Sequence, residues 1–268
     1  MSGKDTGGRA RKLEGRVVAI TGATRGIGRG IAECFLAEGA KVAISGRSAE
    51  KGQQALDEMG AGANAIFVAG DVTKQADVEG FVDHVHSHFG RLDILVNNAG
   101  GSSGFNLVHE LEDSAWNEAL NWMLNATFWG TRRAIRYMLP NGWGRVINIS
   151  SVEGRQANLT KVSHYITNKH AINGLTKAVA FEYGTTGITC NALIVGPVET
   201  DLMMNVGPKV AKEQGITYDQ YKAQYAKNTA IKRLVTVEEV SAMALLVASE
   251  EGGAITGALL DVSGGTSL

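Results

Sequence analysis

Tyr165 and Lys169 are four residues apart at the start of a long helical pattern, so their side chains share one face of the helix. A free phenol has a pKa of about 10 and is therefore a poor base at neutral pH. A neighbouring ammonium group favours the phenolate and lowers that pKa. The pair is suited to give a proton to a carbonyl oxygen or to take one from an alcohol.

Two further side chains could support this proton transfer. The fifth predicted strand ends in Ser150 and Ser151, which places hydroxyl groups at the carboxyl edge of a sheet just before the helix of Tyr165. Ser151 could hydrogen-bond to the same substrate oxygen as charge develops on it. Asn125 lies one predicted helix earlier in the chain. This chemistry needs no metal ion.

A glycine-rich turn follows the first predicted strand, and a helical pattern begins directly after it. Such a turn directs unpaired N–H groups and the positive end of a helix dipole towards an anion. Gly22 would allow the sharp turn, Gly26 the approach of a pyrophosphate, and Gly28 close packing of helix on strand. The spacing G-x-x-x-G-x-G differs from the commoner G-x-G-x-x-G. The predicted dinucleotide-binding residues of this turn are Gly22, Thr24, Arg25, Gly26, Ile27 and Gly28.

The end of the second predicted strand selects between the two nicotinamide dinucleotides. An NAD site usually places Asp or Glu about 20 residues past the glycine turn, where it binds the ribose 2′-hydroxyl. Here the residues are Ser45-Gly46-Arg47-Ser48, without an acid. Arg47 could pair with a 2′-phosphate, which a carboxylate would repel, and Arg25 could approach it from the other side. This pattern favours NADP(H) over NAD(H).

The elements that position these residues alternate along the chain. Short apolar runs rich in β-branched residues predict strands, and the longer amphipathic runs between them predict helices. Nearly all-apolar strands alternating with helices predict a doubly wound, Rossmann-type parallel sheet of seven strands with helices on both faces. The predicted strands are 17–21, 41–45, 65–69, 94–97, 145–149, 189–193 and 259–262, and the helices include 27–38, 50–59, 77–89, 131–139, 165–183 and 237–248.

Composition excludes several other classes of protein. The 268 residues carry a net charge of −1, which gives no electrostatic signature of nucleic-acid or membrane binding. The two cysteines do not suggest a disulfide framework, so a cytoplasmic location is expected. No run is long and apolar enough to span a bilayer. His84, His86 and His88 alternate on a predicted helix, but no carboxylate pattern completes a metal site, and no metal is expected.

The chain is predicted to form one domain over residues 13–268, preceded by a disordered tail at 1–12. Residues 202–228 are longer than an ordinary connection and follow the sixth predicted strand. Ligands of open α/β sheets bind beyond the carboxyl ends of the strands, so this segment is predicted to be a lid over the substrate. A surface helical hairpin without a ligand role is the alternative.

From about residue 13 to the C-terminus, the sequence resembles the short-chain dehydrogenase/reductase family, in particular its 3-oxoacyl-(acyl-carrier-protein) reductases. The resemblance is carried by residues 21–28 and by Asn97-Asn98-Ala99-Gly100 after the fourth strand. The catalytic set Asn125, Ser151, Tyr165 and Lys169 completes it.

The resemblance implies a role for each matching residue. Asn98, Ala99 and Gly100 would border the adenosine ribose and the nicotinamide side, while Asn97 would help to hold the central sheet. Asn125 would hold a water molecule in a proton relay to Lys169. The remaining implied cofactor contacts are Asp71 and Val72 at the adenine, Val198 and Thr200 at the nicotinamide carboxamide, and Tyr165 and Lys169 themselves.

Two positions depart from the family pattern. The Pro-Gly that usually follows the sixth strand is Val195-Gly196 here, with Pro197 after it, which weakens the assignment of backbone contacts to the nicotinamide. The spacing from Ser151 to Tyr165 is one residue longer than the commonest spacing, so Ser150 stays a rival for the catalytic serine.

These features predict an NADPH-dependent reductase of a ketone or 3-oxoacyl substrate, with Tyr165 as general acid/base. An NAD-linked dehydrogenase of a secondary alcohol, a hydroxysteroid or a 3-hydroxyacid is the alternative. A nucleotide-binding sensor without activity is a third hypothesis, which the intact catalytic set disfavours. The family resemblance also implies a homotetramer built partly through the helix of Tyr165.

Overall fold

A single parallel sheet of seven strands organises the chain. The computed structural model describes residues 10–101 and 103–266, without the side chains of Asp201 and Leu202. The strand order is β3-β2-β1-β4-β5-β6-β7, and every neighbouring pair is parallel. This confirms the predicted doubly wound fold. The strands are β1 (Val17–Ile20), β2 (Lys41–Gly46), β3 (Ala65–Ala69), β4 (Ile94–Asn97), β5 (Gly144–Ile149), β6 (Ile188–Val195) and β7 (Leu259–Val262).

Helices cover both faces of the sheet. A segment before α5, Asn121–Asn125, has π-helical hydrogen bonding. The helices are α1 (Gly26–Ala37), α2 (Ala49–Met59), α3 (Gln75–Phe89), α4 (Asp113–Leu120), α5 (Ala126–Met138), α6 (Ser163–Tyr183), α7 (Asp201–Glu213), α8 (Tyr218–Ala226) and α9 (Val237–Ala248).

Two apolar clusters hold these layers together, one on each face of the sheet. On one face, Phe35 of α1 and Val240 of α9 pack against the strands. On the other, Phe81 of α3, Met138 of α5 and Val179 of α6 do the same. With both faces covered, the five inner strands are almost wholly buried, which explains their continuous apolar sequence.

Polar side chains inside the sheet tie β4 to β5. Asn97 donates from Nδ2 to Asn148 Oδ1 at 2.8 Å and to Thr131 Oγ1 at 3.0 Å. Asn148 in turn donates from Nδ2 to Thr176 Oγ1 of α6 at 2.9 Å. The implied role of Asn97 in holding the central sheet is thereby confirmed.

The predicted lid, residues 202–228, forms the helices α7 and α8. Pro208 lies inside α7 and does not end it. Thr217 begins α8 with a capping box, in which its side chain and that of Gln220 each bond the other's backbone N–H.

The N-terminal segment is only partly described. Residues 1–9 of the predicted tail lie outside the described residues. Lys12 contacts the folded part, because its backbone N–H donates to Glu38 Oε2 at 2.9 Å and its Nζ pairs with Glu251 at 3.0 Å. No described helix combines the length and the apolar character needed to cross a membrane.

Candidate active site

The turns that follow β1 and β4 are joined at the carboxyl edge of the sheet. Thr21 Oγ1 accepts hydrogen bonds from the backbone N–H groups of Asn98, at 3.1 Å, and Ala99, at 3.0 Å. Asn98 Nδ2 donates to the carbonyls of Thr21 and Gly22, both at 2.9 Å. The strand order reverses between β1 and β4, and open α/β sheets bind ligands at such a point.

Two glycines of the predicted turn are required by this geometry. Gly22 has φ +64°, and a Cβ there would lie 2.9 Å from Ala99 Cα. A Cβ on Gly28 would lie 2.4 Å from Asn98 Nδ2 and 3.0 Å from Ala23 Cα. Gly28 therefore makes room for the Asn98 side chain as well as for the packing of helix on turn.

A cleft of about 370 Å³ opens above this edge. The walls of this cleft bring together most of the predicted cofactor residues: Gly22, Thr24, Arg25, Gly26, Ile27, Arg47, Asp71, Val72, Asn98, Ala99, Gly100 and Thr200. Gly28, Tyr165, Lys169 and Val198 are not on its wall. Val198 instead pairs with Val235 in a parallel bridge. Sequence reasoning did not single out five further lining residues, Gly46, Gly70, Thr73, Glu118 and Trp122.

Trp122 is the most informative of these residues. It lies on the wall of the cleft. The Arg47 guanidinium carbon lies 5.5 Å from the centre of that ring, which is a cation–π contact across the cleft. Tryptophan at such a position gives no sequence signal distinct from that of a core residue.

Asp71 is held as a carboxylate at the same cleft. Burial opposes its charge, but hydrogen bonds from Thr73 N and Oγ1, with the charges of Lys74 and Arg47, lower the pKa of its carboxyl. An acidic group here can accept hydrogen bonds from a ligand's amine or hydroxyl groups.

Lys169 is buried next to the turn after β4. Its Nζ donates to the carbonyl of Ile149 at 2.7 Å and lies 5.5 Å from the centre of the Tyr165 ring. A Cβ on Gly100 would be only 3.7 Å from the same nitrogen, so the turn after β4 borders the lysine. Burial lowers the pKa of Lys169 to about 8.

The Ser151 hydroxyl lies close enough to the phenol of Tyr165 to affect its pKa. Burial raises the pKa of Tyr165, the Ser151 hydroxyl lowers it, and the charge of Glu153 raises it. The net direction is upward, opposite to the lowering predicted from the Tyr165–Lys169 spacing. The reason is physical: burial outweighs the effect of the Ser151 hydroxyl, and the lysine's Nζ is directed to a backbone carbonyl.

The two candidate serines are separated by this geometry. Ser151 contacts Tyr165, and its Oγ accepts from Glu153 N at 3.2 Å. Ser150 is buried, and its Oγ has no hydrogen-bond partner among the described residues. Ser151 is thus the serine beside the phenol.

Asn125 ends the π-helical segment between α4 and α5. Its Nδ2 donates at 2.7 Å to Oδ1 of Asn121, the first residue of the same segment. Single π turns occur frequently at functional sites, because they turn a side chain out of the regular helical register. No hydrogen bond among the described residues joins Asn125 to Lys169, so the relay through water remains a prediction.

The lid is tied to the segment after β6 through one carboxylate. Glu199, between Val198 and Thr200, accepts from Tyr218 Oη at 3.1 Å and pairs with Lys222 Nζ at 3.2 Å. Both partners belong to α8. This group, Glu199 with Tyr218 and Lys222, is called the lid latch below.

Comparison with known proteins identifies this arrangement. The family described as short chain dehydrogenase matches residues 16–211. A 3beta-hydroxysteroid dehydrogenase of Eggerthella lenta is 38% identical over 259 residues, covering 95% of this chain and 96% of that protein. The 3-oxoacyl-(acyl-carrier-protein) reductase of Escherichia coli is 34% identical over 254 residues, covering 94% and 98%.

A solved structure extends the similarity to three dimensions. Actinorhodin polyketide ketoreductase with NADPH matches with a TM-score of 0.86 at 32% identity, over 94% of this chain and 97% of that one. The chain belongs to the short-chain dehydrogenase/reductase family. It is accordingly an oxidoreductase of a family that uses a nicotinamide cofactor.

Proposed function

We propose that the protein is an NADPH-dependent carbonyl reductase that converts a ketone or 3-oxoacyl substrate to the alcohol. The observation that carries this proposal is the meeting of Ser151, Tyr165 and Lys169 beside the turn after β4, next to a cleft lined by Arg25 and Arg47. That cleft has the glycine turn that a dinucleotide requires and two arginines suited to a 2′-phosphate.

In this proposal the cleft residues hold the dinucleotide, with Arg25 and Arg47 at the 2′-phosphate and Asp71 and Val72 at the adenine. Val198 and Thr200 would contact the nicotinamide carboxamide. The bound cofactor would supply the hydride, and its positively charged oxidised ring would lower the pKa of Tyr165. The cofactor-binding ketoreductase of similar fold supports the choice of NADPH.

The chain's own groups move the proton. Tyr165 Oη donates it to the carbonyl oxygen while Ser151 Oγ hydrogen-bonds to the same oxygen. Lys169, whose pKa burial lowers to about 8, still carries its proton at neutral pH and replaces the proton that Tyr165 has given up. The water held by Asn125 would then return a proton to Lys169. The substrate enters under the lid of residues 202–228.

Replacing Tyr165 tests the mechanism. Tyr165→Phe removes the hydroxyl and keeps the ring, so we expect turnover of ketones with NADPH to fall by about 10²- to 10⁴-fold. Cofactor affinity, measured by equilibrium dialysis, should stay unchanged. Undiminished turnover would contradict the role of Tyr165, and equal inactivity of wild type would favour a non-catalytic nucleotide sensor.

Replacing Arg47 tests the cofactor. Arg47→Asp should weaken NADPH binding by about tenfold to a hundredfold, because a charged hydrogen bond is lost and a repulsion added. NADH binding should be unchanged or stronger, and Lys51→Asp on the exposed start of α2 is the matched control. A wild type that prefers NADH would support the second candidate, an NAD-linked alcohol or hydroxysteroid dehydrogenase, which similarity to the Eggerthella lenta enzyme favours.

Assembly as a homotetramer is part of the same proposal. Phe181 of α6 is 94% exposed, and Phe128 of α5 is 42% exposed. Large apolar side chains at such positions are characteristic of protein interfaces. Sedimentation equilibrium of wild type and Phe181→Ser would test whether α6 contributes to assembly.

A further inference from the structure

Glu153 is a buried acid that the proposed chemistry does not use. It lies in the turn Val152–Gly154, between Ser151 and the helix of Tyr165, and only 4% of its surface is exposed. Its backbone N–H donates to Ser151 Oγ at 3.2 Å. The carboxylate therefore starts from the backbone that carries the serine beside the phenol.

The turn that carries Glu153 is fixed against α6. Asn173 Nδ2 donates to the Gly154 carbonyl at 2.9 Å. A Cβ on Gly154 would lie 2.8 Å from the same nitrogen and 2.9 Å from Ser150 Oγ, so the turn has no room to shift towards the helix. The place of the neighbouring carboxylate is therefore set by packing.

The charge of this carboxylate is only partly compensated. One oxygen accepts from the backbone N–H of Asn158 at 3.1 Å. In the part of the chain that the structure describes, no Lys, Arg or His nitrogen lies within 4.0 Å of it. Arg155, two residues away, pairs with Asp261 at 2.8 Å instead. Burying a carboxylate without a cation is costly, which makes a purely structural role a poor explanation.

A substrate bound at Ser151 and Tyr165 could supply the missing hydrogen-bond donor for this carboxylate. The carboxylate is close enough to Tyr165 for its charge to raise the pKa of the phenol. A carbonyl that is hydrogen-bonded to Tyr165 and Ser151 would bring its neighbouring substituents to the same place. A donor on such a substituent would complete the carboxylate's hydrogen bonds.

We propose that Glu153 is a specificity-determining residue whose carboxylate accepts a hydrogen bond from a hydroxyl or ammonium group next to the substrate's carbonyl. This inference rests on the proposed function and narrows it to hydroxyketones and aminoketones. The same negative charge disfavours ketones that carry a carboxylate at that position, because two buried like charges repel each other.

Four small ketones form the test. Butanone, hydroxyacetone and aminoacetone have the same shape and differ only in a methyl, a hydroxyl or an ammonium group, and acetoacetate carries a carboxylate. We expect wild type with saturating NADPH to favour the two donor-bearing ketones over butanone in kcat/KM by about tenfold to a hundredfold. Acetoacetate should be the poorest substrate of the four.

Two variants separate the hydroxyl from the ammonium. Glu153→Gln keeps an oxygen that accepts from a hydroxyl but loses the charge, so the preference for aminoacetone should vanish while that for hydroxyacetone largely remains. Acetoacetate should improve. Glu153→Leu should remove both preferences. Glu182→Gln, the same change on the exposed end of α6, is the control and should alter nothing.

A melting experiment gives a second readout that does not depend on turnover. Without substrate, Glu153→Gln should melt at or above the wild-type temperature, because it removes an unpaired buried charge and keeps the acceptor for Asn158 N. A clearly lower melting temperature would assign Glu153 a structural role and overturn the inference. Ketone reduction without any donor preference would also overturn it while leaving the proposed function standing. If the wild-type protein reduces none of the four ketones, the proposed function itself is contradicted.

Discussion

The two ends of the active-site cleft are built differently. The cofactor end consists of the turns after β1, β2 and β4. Backbone hydrogen bonds join these turns, Thr21 N to Val96 O at 3.1 Å and Ala23 N to Ser45 O at 3.1 Å, in addition to the side-chain bonds of Thr21 and Asn98. The substrate end that we propose consists of residues 103–107, the turn of Glu153, and the lid. Side chains hold it, such as His164 with a ring nitrogen 2.9 Å from Ser103 O, and the lid latch.

This difference suggests that cofactor binding is fixed by the fold, whereas substrate binding can vary. Backbone geometry at the cofactor end tolerates few substitutions, because a change there moves strand ends and glycines with no space around them. Side-chain contacts at the substrate end can be exchanged one at a time. A family member can therefore keep its cofactor site while its substrate changes, as the different names of the relatives of this chain illustrate.

The largest effect is expected from a substitution at the cofactor end. Gly22→Ala forces a Cβ to within 2.9 Å of Ala99 Cα at a residue with φ +64°. We expect the free energy of unfolding to fall by about 2–5 kcal/mol, from backbone strain and overpacking together. Urea unfolding would measure it.

Gly60→Ala is the matched control for this change. Gly60 has φ +60° but would place its Cβ where no described atom lies within 4 Å. Its cost should be about 1 kcal/mol, from the backbone alone. Equal losses of unfolding free energy in Gly22→Ala and Gly60→Ala would show that the close contact with Ala99 contributes nothing. The contrast between the cofactor end and the substrate end would then lose its support.

The free energy of unfolding, measured over a series of pH values, tests the buried charge of Lys169. Burial lowers the pKa of Lys169 to about 8 from its ordinary 10.5. Below pH 8 the native state bears a buried ammonium, and between pH 8 and 10.5 it has lost that proton while the unfolded chain keeps it. The free energy of unfolding should therefore rise with pH across this window, by on the order of 3 kcal/mol.

Lys169→Met should abolish this contribution to the pH slope. The variant is neutral in both states, so it should be the more stable protein below pH 8. Lys177→Met, on the exposed face of the same helix, should keep the wild-type slope. An identical slope in wild type and Lys169→Met would mean that the buried lysine keeps its ordinary affinity for protons.

The smallest effect is expected at the substrate end. Glu199→Gln removes the charge of the lid latch, whose Lys222 side chain is 28% exposed and Glu199 side chain 35% exposed. We expect the free energy of unfolding to change by less than about 1 kcal/mol, because partly exposed ion pairs contribute little. The KM for the ketone should change by a few-fold while cofactor affinity stays constant.

Asp219→Asn is the control for the latch. Asp219 pairs with the same lysine at 3.3 Å but is 91% exposed and does not touch the cofactor side. It should leave KM unchanged. If Glu199→Gln changes cofactor affinity more than it changes KM, the lid latch belongs to the cofactor end. That result would contradict the division of the cleft into a cofactor end and a substrate end.

The sequence was most informative where backbone requirements are strict. The strands, the glycine turn and the Tyr165–Lys169 pair could all be predicted, because apolar periodicity and glycine spacing directly express burial and turn geometry. The bounds of helix α4 were not predicted, since it is short and Ala119 is its only buried residue among those described. The π-helical segment before Asn125 was missed too, because its residues read as an ordinary helix.

Properties that depend on contacts between distant residues could not be read in advance. The upward pKa shift of Tyr165 depends on its burial and on Glu153, which the spacing from Lys169 does not reveal. The position of Trp122 in the cleft depends on how α4 and the π-helical segment lie against the turn after β4.

That placement of Trp122 gives the protein a built-in optical probe. Indole emission overlaps the absorption band of a reduced nicotinamide, so energy transfer can occur when the two chromophores are close together. Trp122 lines the cleft in which we propose that the dinucleotide binds, whereas the ring of Trp143 is stacked on Arg16 and Arg145 at the opposite edge of the sheet. Filling of the cleft would thus quench Trp122 more than Trp143, and occupancy could be followed without any label.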